Sequence, residues 1–283
     1  MSSLIVPPIK TQGKKTKITP YIFNLTKLIT KKNTDTWVEP FFGSGVVGFN
    51  CPKQFKKIIA GDINPYVIQF YNALKDGTIT TDGIRHVLTE MGNELSKYGN
   101  EYYLNIRKEF NETHDIMLFL FLTRTCYNGV MRFNSKGEFN VPFCNNNDKL
   151  TDKLINGLCD NIDQIKKVID ERSFTFLCQS FEDTIKLADE HSVIYCDPPY
   201  FGLNTTYYDK WSEEGETKLR ESLDAADPKS KKILSTWVNN GLEYNPIIDK
   251  YWSDYQIHKI DHQYCVGPKK ENRRNVVEGL LFK

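Results

Sequence analysis

The chain has 283 residues, 40% hydrophobic and 26% charged, with a formal net charge of +1 at pH 7, a balance ordinary for a soluble globular protein of one large α/β domain or a domain with an insertion. Seven scattered cysteines without a C-x-x-C pair argue against a disulfide framework and against structural zinc, so no metal is expected. No apolar signal core and no run near the ~20 apolar residues of a membrane span is present, which leads to the expectation of a cytoplasmic chain without membrane contact. Near-neutral charge makes any nucleic-acid footprint local, in runs such as "KTQGKKTK" (Lys10 to Lys17) and "GPKKENRRN" (Gly267 to Asn275).

In chain order, "DTWVEPFF" (Asp35 to Phe42) predicts a short strand running into a glycine turn, and "KKIIAGDIN" (Lys56 to Asn64) a second strand ending in an acid. The stretch "NPYVIQFYNALKDG" has helical spacing, with Val67, Ile68, Tyr71 and Leu74 on one side and Gly77 just past its end. Strand, glycine turn, helix, strand, acid, helix is the opening of a doubly wound sheet. The middle reads differently: helical segments around "GIRHVLTEMGNEL" and "HDIMLFLFLTRTCYNG" precede "MRFNSKGEFNVPF", a hairpin with Ser135-Lys136-Gly137 at its turn. Buried strands follow at Arg172–Asp183, Ser192–Tyr200, Lys231–Asn239 and Val276–Lys283. The expected organisation is an α/β core from residues 1–75 and 158–283 with residues 76–157 inserted.

Gly43-Ser44-Gly45-Val46-Val47-Gly48 is a literal G-x-G-x-x-G, and Asp62 follows where a ribose-binding acid would stand. Such a loop admits a ligand close to backbone N–H groups, which suits a pyrophosphate or the amino-acid part of S-adenosylmethionine. Glu39 and Pro40 precede the glycines. A carboxylate there repels pyrophosphate but accepts a hydrogen bond from an ammonium, which favours the zwitterionic ligand. A nicotinamide dehydrogenase is weakened by this and still open.

Asp197-Pro198-Pro199-Tyr200 ends the apolar run "SVIYC". Two prolines cannot continue a ladder, so the strand stops at the carboxyl edge of the sheet in a stiff turn that presents a carboxylate, a carbonyl and an aromatic ring. An exocyclic aromatic amine such as adenine N6 is a poor nucleophile because its lone pair is delocalised. Asp197 and the Pro198 carbonyl can each accept one of its N–H bonds while Tyr200 stacks on the base, a positioning and electrostatic device that needs no metal.

In these motifs the chain resembles the Dam-type DNA adenine-N6 methyltransferases, over nearly its whole length. "KTQGKK", "VEPFFGSG", "GDIN", "CYNGVMRFNSKGEFNVPF", "SF" and "DPPY" follow that family's order, with the cofactor loop before the recognition insert and DPPY last. The resemblance implies a Rossmann-like α/β sheet dependent on S-adenosylmethionine, with an inserted helical and hairpin DNA-recognition unit. It implies a cofactor site of Glu39, Pro40, Phe41, Gly43, Gly45, Asp62, Ile63, Ser180, Phe181 and Asp197, and catalysis by Asp197, Pro198, Pro199 and Tyr200. Relatives carry Lys-Trp-x-Gly-Gly-Lys near the amino terminus. Here Lys10-Thr11-Gln12-Gly13-Lys14-Lys15 replaces the aromatic by Thr11 and one glycine by Lys14, while Gly13 and Lys15 keep their places beside the cofactor. Tyr207 or Tyr208 would offer stacking in place of the missing aromatic.

Duplex DNA is the implied partner, its adenine extruded into the DPPY pocket. Arg132 is expected to reach a guanine edge, and Arg124, Asn128, Asn134, Lys136, Asn140 and Pro142 to contact or shape the same groove. Relatives with this hairpin often act at GATC, but "PFCNNND" departs from their usual continuation. The family setting implies a bacterial or phage protein with S-adenosylhomocysteine as product, and a separate cognate restriction endonuclease. Cytosine-N4 methylation and a catalytically silent DNA-binding relative are the alternatives, with an RNA adenine methyltransferase further off.

Overall fold

Alternation along short apolar strands sends Trp37, Ile58, Ala60, Val193, Tyr195 and Ile233 to one face of a sheet. Val38, Ile59, Ile194, Cys196 and Leu234 go to the other, so both faces need cover. A computed structural model describes residues 4–11, 13, 15–202, 211–265 and 273–283, with backbone alone at 262–265 and 273–276. Tyr207 and Tyr208 lie outside the described residues, as do Gln12, Lys14 and 266–272.

The sheet consists of β1 (Thr36–Glu39), β2 (Lys57–Asp62), β3 (Ser173–Cys178), β4 (Ser192–Cys196), β5 (Lys231–Asn239), β6 (Gln256–Cys265) and β7 (Arg273–Phe282), in the spatial order β3-β2-β1-β4-β5-β7-β6. The first five pair in parallel and β7 runs antiparallel to both β5 and β6. This is the expected α/β sheet. The hydrophobic runs announce every strand but β6, whose "QIHKID" opening has only Ile257 and Ile260 among polar residues and so neither forms an apolar run nor alternates.

Helix α1 (Thr19–Ile29) precedes the sheet, and α2 (Pro65–Asp76) follows β2. Asn64 caps α2 by accepting from the Tyr66 and Val67 amides, Pro65 opens it, and Gly77 ends it in the left-handed region. The helix expected between the glycine turn and β2 is absent, which corrects the sequence reading. A single 3₁₀ turn, Gly48–Asn50, stands there. The Asn50 side chain donates to the Val46 and Ile5 carbonyls and closes the turn, and Pro52 follows two residues later.

Between α2 and β3 the chain forms α3 (Thr81–Tyr98), α4 (Asn100–Thr113), α5 (Ile116–Thr125), the 131–141 hairpin and α6 (Asp152–Glu171). Their apolar stripes, among them Leu88, Leu95, Tyr103, Phe110, Phe119 and Ile162, merge with the Trp37 face of the sheet into one core. The opposite face is covered by α7 (Phe181–Ile185), α8 (Glu213–Ala225) and α9 (Pro246–Tyr251) through Ile185, Leu219, Leu223, Ile247 and Ile248.

Gly61 in β2 lies directly under α7: a Cβ there would overlap the buried Thr184 side chain, whose hydroxyl donates to the Ser180 carbonyl and accepts from Gln179. Gly61→Ala is expected to destabilise the fold by about 1–3 kcal/mol through overpacking. A urea midpoint equal to that of the unaltered protein would show that α7 yields at no cost.

Candidate active site

Strand order reverses between β1 and β4, which pair in parallel with Val38 opposite Ile194. The connections that leave their carboxyl ends diverge, so a crevice opens at this edge. The glycine loop leaves β1 and the Asp197-Pro198-Pro199-Tyr200 turn leaves β4, one on each side of it.

The loop's glycines serve its own side chains. Gly45 has φ +81°, donates its amide to the Phe42 carbonyl at 2.8 Å, and with a Cβ would strike the Phe42 and Phe49 rings at 2.5–2.8 Å. A Cβ on Gly48 would stand 2.8 Å from Glu39 Oε2, so the third glycine makes room for that carboxylate. No α-helix starts behind the loop to turn an N-terminus toward a pyrophosphate. The dinucleotide reading loses its physical basis here.

Glu39 is buried at the end of β1, where the Trp37 indole donates to it at 2.9 Å. Burial pushes its carboxyl well above the usual range, and the negative neighbours Asp197 and Asp62 push the same way. Asp62 ends β2 and accepts from the Gly43 amide at 2.6 Å and the Asn64 amide at 2.8 Å, so it ties the glycine loop to the start of α2. Burial raises its carboxyl too, against the lowering by these amides. Pro40 is buried and Gly43 half-buried beside them, with open space where a Gly43 Cβ would be.

Asp197 faces Lys15, whose buried ammonium stands 2.9 Å from Oδ1, donates to the Gly13 carbonyl at 3.0 Å and lies 4.7 Å from the centre of the Tyr200 ring. Burial pushes Asp197 up to about 6, with Lys15 acting against it. Pro198 is buried and Pro199 half-buried, and the Phe201 carbonyl accepts from the Trp237 indole at 2.8 Å, which fastens the end of the turn to β5. The Tyr200 hydroxyl donates to Glu278 of β7 at 3.5 Å. Glu278 was not foreseen, although one acid in the apolar run "VVEGLL" was the available signal.

On the far side of the glycine loop, Phe41 stacks on Phe181 at 5.2 Å and meets Trp211 edge-on at 5.7 Å. The Trp211 indole is held by buried Glu216 at 3.0 Å, and Ser180 caps α7 through the Asp183 amide. Ile63, next to Asp62, is 72% exposed, an apolar side chain at the crevice that a flat ring would cover. Thr11 is half-buried in the segment that leads to Lys15.

The hairpin is rigidly mounted. Asn134 Oδ1 accepts from the Lys136 and Glu138 amides, its Nδ2 donates to Glu138, and Gly137 takes φ +78° at the turn. Arg132 Nε donates to Asn140 Oδ1 at 2.7 Å. Tyr103, Arg107 and Asn111, four residues apart on α4, bond the backbone of Val141 and Phe139. Asn128 (φ +53°), Arg132, Lys136 and Pro142 are exposed, and Asn134 and Asn140 half-buried. Arg124 is different: it is half-buried, donates to the Pro8 carbonyl at 3.3 Å, and has its pKa lowered by desolvation.

Among the described residues no group of three or more His, Cys, Asp or Glu could hold a metal ion, the six described cysteines are free, and no helix is long and apolar enough to cross a membrane.

Comparison with known proteins adds an independent line. The chain is 28% identical to the type II methyltransferase M.MjaIII of Methanocaldococcus jannaschii over 98% of both chains. It is 32% identical to the DNA adenine methylase of Haemophilus influenzae over 90% of this chain and 88% of that one. It is 30% identical to the type II methyltransferase M.FokI of Planomicrobium okeanokoites, over 99% of this chain and 43% of that one. Residues 12–266 match a family described as D12 class N6 adenine-specific DNA methyltransferase, a span that holds the glycine loop, the hairpin and the Asp197 turn, and the chain belongs to that family.

Proposed function

We propose that the chain moves the methyl group of S-adenosylmethionine to N6 of an adenine extruded from duplex DNA, releases S-adenosylhomocysteine, and serves as the modification enzyme of a restriction–modification pair with a separately acting endonuclease. The observation that carries the reading is the meeting of Asp197 and Tyr200 with Glu39 and Asp62 at the β1–β4 edge, in a member of an N6-adenine family. The restriction–modification setting is supported by the type II relatives, which this chain matches along nearly its whole length.

The residues present suit this cofactor. S-adenosylmethionine is a net cation, and Glu39, Asp62, Asp197 and Glu278 outnumber Lys15 at this edge. Glu39 would accept from its ammonium, Asp62 from its ribose, and Ile63, Phe41 and Phe181 would border its adenine, with Ser180 beside them. The bound cofactor supplies a methyl group made electrophilic by a sulfonium.

Asp197 and the Pro198 carbonyl take the two N–H bonds of the target amine, which localises its lone pair toward the methyl carbon, while Pro199 holds the turn stiff and Tyr200 stacks on the base. The N–C bond forms as the S–C bond breaks. The amine, made cationic and acidic by methylation, then gives its proton to the Asp197 carboxylate or to solvent, so Asp197 need not be a strong base. The segment with Thr11, Gly13 and Lys15 closes this side of the pocket.

Within residues 76–157, the hairpin serves as the sequence reader. Arg132 is the residue for a guanine edge, where its fork matches O6 and N7, with Asn128, Lys136 and Pro142 exposed beside it and Asn134 and Asn140 shaping the turn. Arg124, tied to Pro8, braces the wall behind them.

With labelled S-adenosylmethionine and unmethylated duplex DNA, N6-methyladenine at one short motif is the expected product. Label on cytosine N4 would overturn the base assignment. Asp197→Ala is expected to lower single-turnover methyl transfer by about 10²–10³-fold or more while calorimetric binding of S-adenosylhomocysteine changes far less.

The rate should also fall as pH drops through about 6, where Asp197 takes up its proton, and not near 4 as for an ordinary aspartate. An acid limb centred near 4 would show that Asp197 is not the titrating group. Arg132→Ala should cost about 1–3 kcal/mol in binding the mapped site and relax preference at one base pair, read by competition binding. Equal weakening on every sequence would make Arg132 a phosphate contact.

A further inference from the structure

Glu278 belongs to none of the motifs that lead to the site, yet it is 3% exposed in the middle of apolar β7 and its Oε1 accepts from Tyr200 at 3.5 Å. A buried carboxylate is costly unless a charge or hydrogen bond compensates it, and the opposite charge at hand is the Lys15 ammonium. The same ammonium holds Asp197 at 2.9 Å and lies over the Tyr200 ring. Glu278 thus touches one catalytic group and lies in the field of the ammonium that holds the other.

We propose that Glu278 is a positioning residue for methyl transfer: it anchors the Tyr200 ring by its hydroxyl and divides the Lys15 charge with Asp197, which sets the charge Asp197 presents to the target amine. The inference rests on the function proposed above for Asp197 and Tyr200. The charged groups around Asp197 are Lys15 from the amino-terminal segment, Glu278 from β7 and Glu39 from β1. Tyr195 and Cys196, beside it on β4, are pushed well up by burial and stay neutral. Of these, Glu278 raises the Asp197 pKa and Lys15 lowers it.

Glu278→Gln keeps an acceptor for the Tyr200 hydroxyl and deletes the charge. Asp197 should then ionise more readily, and the acid limb of the single-turnover rate should move to lower pH. Tyr200→Phe cuts the hydroxyl contact alone, so it should lower the plateau rate and leave that midpoint in place. Glu278→Asp keeps the charge on a shorter stem and should hold the midpoint while it lowers the plateau. It also serves as the test if the neutral variant fails to fold, and an unchanged plateau would then overturn the anchoring role. An acid limb in Glu278→Gln that coincides with that of the unaltered protein overturns the charge-sharing role. The Asp197 midpoint is also readable without turnover, from ¹³C-labelled aspartate carboxyls assigned by Asp197→Asn. A shifted midpoint in a protein that transfers no methyl group would sink the proposed function alone, and methyl transfer with no shift would sink the role of Glu278 alone.

Discussion

A buried ammonium placed against a half-buried carboxylate governs this site. Lys15 and Asp197 meet at 2.9 Å, and such a pair recovers its desolvation cost only if further polar groups satisfy both ends. Here the Gly13 carbonyl and the Tyr200 face complete the ammonium's surroundings. The pair fastens the amino-terminal segment to the end of β4, and the Lys15 carbonyl accepts from the Thr19 hydroxyl at 2.7 Å and the Ile18 amide at 3.0 Å at the start of α1. With Glu39 and Glu278 close by, Asp197 would be driven further toward its neutral form without that cation.

The excess of carboxylates is the second constraint. Strands that end side by side deliver Glu39, Asp62 and Asp197 to one edge, and each resists ionisation because little water reaches it. A cationic ligand relieves that resistance and is attracted by it, whereas a pyrophosphate would add to the repulsion. Electrostatics therefore separates two ligands that a glycine pattern cannot.

Sheet edge and hairpin are joined by packing. Tyr66, in the first turn of α2 directly after the Asp62 loop, stacks on Phe133 of the hairpin at 5.6 Å and contacts Phe110 and Phe119. The helix that begins beside Asp62 thus shares a ring contact with the element proposed to read DNA, and both belong to one core. Interiors packed at this density transmit small displacements, so the spacing between pocket and reader is fixed by aromatic contacts.

Much of this was legible in the sequence because the signals are local. Strands that end in Glu39, Asp62 and Asp197, the Pro198-Pro199 stop and the Ser135-Lys136-Gly137 turn all follow from backbone rules acting over a few residues, and the motif order pointed to the family that the comparisons establish. The expected helix after the glycine loop failed because Asn50 and Pro52 close the segment as a 3₁₀ turn, a choice made partly by a bond to distant Ile5. β6 escaped notice because this edge strand has no apolar run, only Ile257 and Ile260 among polar residues. The service of Gly48 to Glu39, the commitment of Arg124 to Pro8, and the convergence of Lys15, Tyr200 and Glu278 join residues 9, 116, 78 and more positions apart. Sequence by itself determined which chemical groups stand at the strand ends, since those depend on local stiffness and periodicity. Tertiary structure alone decided which charges share a counter-ion, since burial and distance between remote segments exist only once the chain has folded.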